Sequence, residues 1–167
     1  SPLAGMWYDA DKQRLSAEID RYVAEAHTPP LESVQALVLP HAGYRYSGPV
    51  AAFGLKAVLG REYTRVIVMG PSHRVYMHGC AHVSDMTHLA TPLGEVPLDL
   101  EAAAALRRHP EFRVVRGVDE SEHSVQIQVP LLQRALKDFR LVPIVVSNVD
   151  GETIKRMAAI LQGIVDD

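Results

Sequence analysis

The sequence predicts an α/β fold, a mostly parallel sheet flanked by helices. Segments with apolar residues at helical spacing alternate with short apolar runs. Two runs, Val66-Ile67-Val68-Met69 and Val142-Pro143-Ile144-Val145-Val146, are continuous, as expected of strands covered on both faces of a parallel sheet. Two apolar runs also end alike, in Pro40-His41 and in Pro71-Ser72-His73. The two histidines are 32 residues apart, close to the ~30 of one β-α-β unit.

The elements follow in order. Leu15, Ile19, Tyr22, Val23 and Ala26 recur at helical spacing after Asp9 and Asp11, and Thr28-Pro29-Pro30 stops that helix. Leu37-Val38-Leu39 reads as a short strand. Ser47 or Gly48 then opens a small-residue helix through Ala51, Ala52, Leu55 and Val58, ended by Gly60. Val66 to Met69 form the next strand, and Cys80 to Ser84 another. The stretch up to Gly94 reads as irregular. Asp99 caps an alanine-rich helix that ends near His109-Pro110, and Phe112 to Val115 are extended. Val125, Val129, Leu132 and Leu136 fit one helical face, yet Val125, Ile127, Val129 and Leu131 also alternate like a strand. Length and the following Leu132-Gln133-Arg134-Ala135 favour a helix, with Pro130 near its first turn or at a kink. Leu141 to Val146 form the last strand, and Asp150 opens the last helix.

Composition excludes several classes. A length of 167 residues suits one domain with a sizeable core. Hydrophobic residues at 47%, charged residues at 22% and a net charge of -3 give neither a nucleic-acid footprint nor a polybasic membrane signal. No apolar stretch reaches transmembrane length. A single cysteine, Cys80, excludes an internal disulfide and suits a reducing compartment, so the expected location is cytoplasmic.

The twin Pro–His sites suggest the chemistry. A right-handed crossover would bring His41 and His73 to one carboxyl edge of the sheet, where open α/β sheets bind ligands. There they could share an ion, although each alone also reads as a satisfied turn residue. Gly43 and Gly48 would let the backbone turn beside them, and Gly70 would permit a tight strand exit. Tyr44 and Tyr46, on the same stretch, are pocket-wall candidates or ordinary packing aromatics. Glu120-Ser121-Glu122-His123-Ser124 reads equally as a helix cap and as a carboxylate–imidazole pair able to move a proton. A rival N/S donor set is His78-x-Cys80-x-His82, disfavoured because same-face strand ligands converge poorly. His27, His88 and His109 read as solvated.

The stretches "AGMWYDAD", "PHAGYRYSG", "MGPSH", "TPLGEVPLD" and "EHSVQIQVPLLQ" occur in one order and together resemble the Memo family, also called AmmeMemoRadiSam system protein B. That family is similar in fold to the catalytic subunit of class III extradiol dioxygenases, which use non-heme iron. The resemblance implies a crevice metal with His41 and His73 as ligands, and His123 nearby, either supporting a ligand from behind or in acid–base work with Glu122. Ser72, Thr91, Tyr44 and Tyr46 would then contact substrate. Fe(II) is the first expectation for the metal, with copper or zinc as alternatives. The other reading is a non-catalytic module that holds a small molecule or peptide in the same crevice. Family members are longer, so the chain is expected to be the N-terminal part of a larger single domain. The third metal ligand is then expected beyond residue 167, and the open surface is expected to be covered by the missing C-terminal segment or a homodimer partner.

Overall fold

The computed structural model describes residues 1–165. In chain order its elements are α1 (Lys12–Glu25), α2 (Tyr44–Val58), β1 (Arg65–Pro71), β2 (Ala81–Val83), β3 (His88–Thr91), β4 (Gly94–Pro97), α3 (Leu100–Leu106) and β5 (Phe112–Arg113). There follow α4 (Val118–Ser121), a 3-10 turn (Gln126–Gln128), α5 (Val129–Ala135), β6 (Arg140–Val146) and α6 (Gly151–Val165). This is an α/β pattern. No helix is long and apolar enough to cross a membrane, among the described residues. Backbone contacts divide the chain into two compact units. One comprises residues 1–64, 89–96 and 126–139, and the other residues 65–88, 97–125 and, among the described residues, 140–165.

The first unit is mainly helical. Asp11 caps α1 by accepting the Arg14 amide, and Leu15, Ile19, Tyr22 and Val23 are buried on one face, at the predicted spacing. The Tyr22 ring fills the space where a Cβ at Gly48 would sit, so that glycine serves close approach of α1 and α2. α2 begins at Tyr44, earlier than Ser47, because the Gly43 carbonyl already accepts the Tyr46 and Ser47 amides. The stretch after Thr87, expected to be irregular, contains the β3–β4 hairpin, turned at Gly94 with φ +127°. The single helix expected from Val125 is instead a 3-10 turn followed by α5, with Pro130 in the first turn of α5 where its missing N–H costs nothing.

One expectation fails outright. Leu37-Val38-Leu39 forms no strand; residues 26–43 contain no helix or strand. Val38 is fully exposed, whereas Leu39 lies against Gly54 of α2. An apolar run with no ladder partner gains nothing from extension, and here it covers a helix instead. The β-α-β argument from His41 to His73 therefore loses its first strand.

The second unit carries a four-stranded sheet in the order β1-β6-β2-β5. β1–β6 and β2–β5 are parallel, and β2–β6 is antiparallel, so the sheet is mixed but mostly parallel. Side chains alternate across it with period two. Val142, Ile144, Ala81 and Val83 pack with Leu106 and Met157 of α3 and α6. Val145 joins Val118 and Val125 in a second cluster, with Val68 packed against it. β6 is buried on both faces, which is why its sequence is continuously apolar. Asp99 caps α3 as expected, accepting the Ala102 amide at 3.0 Å while pairing with Arg65 at 2.8 Å.

Candidate functional site

His73 is set by the exit from β1. The Ser72 amide donates to the Val146 carbonyl at 2.7 Å, and the Ser72 hydroxyl donates to the Val75 carbonyl at 2.6 Å. These bonds close a tight turn at the edge where the parallel strands β1 and β6 both end. Ser72 thus shapes the turn that presents His73, and its hydroxyl is spent on the backbone.

Glu122 organises the rest. It follows α4, and its side chain is 2% exposed. Oε1 accepts the His123 amide at 2.8 Å and the Ser124 amide at 3.0 Å, while Oε2 accepts the His73 amide. The same Oε1 faces Nδ1 of His73 and Nδ1 of His123, each at 3.2 Å. The two rings lie with centroids 4.8 Å apart and planes inclined by 36°. A carboxylate beside each Nδ1 favours the tautomer protonated there, which puts the lone pair on Nε2. Two imidazoles held in this way, with nitrogens within 4.8 Å, could each offer Nε2 to one ion.

The charge of Glu122 is fixed by its contacts. Burial pushes its carboxyl up, but the amides of His73, Ser124 and His123 and the His73 ring overcome this and hold it at about 2. It stays ionised through the neutral range. In this structure Glu122 anchors two imidazoles as a charged carboxylate.

Sequence reasoning missed two groups here. A Cβ at Gly70 would run into the Ser124 side chain, so this glycine makes room rather than permitting an unusual backbone angle. On the same face of the unit, His82 of β2 holds α4 in place: Nε2 meets Asp119 Oδ1 at 3.0 Å, and Nδ1 accepts the Val115 amide at 2.9 Å. Both nitrogens of His82 are committed, and Cys80 is buried in the sheet-side core. The rival set His78-x-Cys80-x-His82 is consequently not assembled. The only sequence-level hint of these roles was a glycine ending an apolar strand. His27, His88 and His109 are exposed, as read from sequence.

The helical unit holds the other predicted residues. His41 is half-buried in the irregular stretch before α2. Tyr44 is 1% exposed, tilted against Tyr8 and donating its hydroxyl to the Ile127 carbonyl at 2.9 Å. Burial pushes its phenol well above the usual range. Tyr46 is exposed at 77%. The Thr91 hydroxyl meets the Gly94 carbonyl within the hairpin and donates to the Gln133 side chain of α5. An open cavity of about 420 Å³ is lined by Trp7, Tyr8, Asp9, Arg14, Tyr44 and Arg45, among others.

Comparison with known proteins gives a consistent result. The model of the Memo-like protein family matches residues 1–167. The Protein memo-1 homolog of Caenorhabditis elegans is 34% identical over 151 residues, covering 89% of this chain and 43% of the relative. Protein MEMO1 of Xenopus laevis is 34% identical over 148 residues, covering 86% and 49% respectively. The MEMO1 family protein of Pyrobaculum arsenaticum is 38% identical over 160 residues, covering 86% and 54%. The chain spans about half the length of the curated relatives it matches.

Proposed function

The chain belongs to the Memo-like protein family, and on that premise we propose that it holds a divalent transition metal, Fe(II) first, with zinc or copper as substitutes. His73 and His123 would supply two imidazoles, and His41 is the further ligand that the family resemblance implies. One observation carries this reading: a single buried carboxylate oxygen serves Nδ1 of both His73 and His123. Carboxylates placed behind metal-binding imidazoles fix their tautomer and orientation in this manner. His123 is treated like His73 by that carboxylate, so it is proposed as a ligand in place of a third donor beyond residue 167.

A redox-capable ion in such a set would supply oxygen-activating or electron-transfer chemistry of the non-heme-iron type. The chain's own part would be orientation. Glu122 holds both rings and remains charged, and the Ser72 turn fixes the backbone of His73. The wider proposal is a dioxygenase-like or redox enzyme acting on a small molecule in the cytoplasm. It would work with further polypeptide, in cis or from a second copy, that completes the crevice.

Anaerobic titration of the protein with Fe(II) and Zn(II) tests the ligand set. One ion per chain is expected, with His73→Ala and His123→Ala each abolishing tight binding. Full affinity in His123→Ala would return that residue to acid–base work, and no binding by the wild type would remove the metal reading altogether. A second reading, a peptide- or ligand-binding module without turnover, draws on the open cavity beside Trp7 and Arg45. Tight peptide capture by metal-free protein would favour it.

A further inference from the structure

We infer that Gln128 is a positioning residue for His41, an inference that rests on the metal reading above. His41 has no helix or strand to hold it, because residues 26–43 are irregular. Pro40, immediately before it, has no N–H, so its carbonyl is the only backbone group through which residue 40 can be tied down. That carbonyl accepts Nε2 of Gln128 at 2.9 Å. On the other side of His41, the Ala42 carbonyl accepts the Ser47 hydroxyl at 2.6 Å. Tyr44 donates its hydroxyl to Ile127, so two successive residues of the 3-10 turn grip the chain on either side of His41.

The side chain of Gln128 is costly where it stands. It is 7% exposed and sits in the run Ile127-Gln128-Val129, whose other members are buried apolar residues. Its amide orientation is fixed, since the Pro40 carbonyl can only accept and the NH₂ must face it. Oε1 is thereby left buried without any hydrogen-bond partner. An unpaired buried amide oxygen opposes folding, and methionine would fill the same space without that cost. Stability therefore does not account for glutamine here. Its hold on Pro40 does, and that hold sets where the His41 imidazole begins.

The test compares wild type with Gln128→Met and Gln128→Glu. Methionine keeps the volume and removes the donor, whereas glutamate keeps the shape and sets a second acceptor against the Pro40 carbonyl. In Gln128→Met the urea midpoint should stay near that of the wild type, because one orphaned oxygen is removed as one carbonyl loses its donor. Zn(II) affinity should fall by about 10–100-fold, the usual cost of losing a group that orients a metal ligand. Gln128→Glu should lose affinity by at least as much. In metal-free protein, amide hydrogen exchange at His41, Ala42 and Gly43 should quicken in Gln128→Met. Wild-type Zn(II) affinity in Gln128→Met, or unchanged exchange at those amides, would overturn the inference. Should the wild type bind no Zn(II), the metal reading fails by itself, and the exchange measurement alone decides whether Gln128 fixes this segment.

Discussion

Replacing Glu122 by glutamine removes one charge and changes almost no volume. In the folded protein the carboxyl is held at about 2, against an ordinary 4.5. A depression of that size corresponds to about 3 kcal/mol of preference for the ionised form. Hydrogen-bond inventory gives the same order. Glutamine must turn its NH₂ either toward the His73 amide or toward the amides of His123 and Ser124, losing one or two bonds to a charged acceptor worth about 1.5–3 kcal/mol each. Glu122→Gln should therefore destabilise the sheet-containing unit by about 2–4 kcal/mol at pH 7, measured by urea unfolding. The sign with pH follows from a lowered carboxyl. Its contribution is complete above the unfolded value of 4.5 and is lost as pH falls toward the folded value of about 2. About 60% should be gone by pH 3, and the gap between wild type and variant should narrow accordingly. A gap below about 1 kcal/mol at pH 7, or one unchanged at pH 3, would refute the claim that Glu122 is a buried ionised anchor.

Other perturbations follow from the same packing. Gly70→Ala should cost about 1–3 kcal/mol by overpacking against Ser124, and Ser124→Gly in the same chain should recover much of that loss in a thermal-unfolding cycle. Arg65→Met removes the partner of buried Asp99 and the donor to the Ile164 carbonyl, and should cost about 2–4 kcal/mol in urea unfolding. Burial alone pushes Asp99 up, but the Ala102 amide and Arg65 bring its carboxyl below the ordinary value, so in wild type this contribution should fade as the solution is acidified. Tyr44→Phe deletes a buried hydroxyl and orphans the Ile127 carbonyl, for about 1–2 kcal/mol by calorimetry.

Much of the sheet unit was legible because its physics is local. Continuous apolar runs marked β1 and β6, and Asp99 marked the start of α3. The adjacency of Glu122 and His123 drew attention to the residues that flank His73 in space. What the sequence concealed depended on partners distant along the chain. Leu37 to Leu39 have strand composition, yet whether a strand forms depends on a neighbouring ladder, and none meets them among the described residues. The charge of Glu122 could not be read from its type, since three amides that converge only in the fold determine it. Gly70 suggested a backbone turn, but its purpose is the volume of Ser124, a residue far along the chain. Gln128 gave only a polar residue inside an apolar run, with nothing local to reveal the Pro40 carbonyl it holds.

The central claim is that imidazoles oriented by Glu122 hold a metal. X-ray absorption on the Zn(II)-loaded protein tests it most directly. The account predicts a first shell that includes nitrogens at about 2.0–2.1 Å, with the outer scattering of imidazole rings, and loss of that scattering in the His73→Ala/His123→Ala double variant. A first shell of oxygen alone, or imidazole scattering that survives the double substitution unchanged, would contradict it.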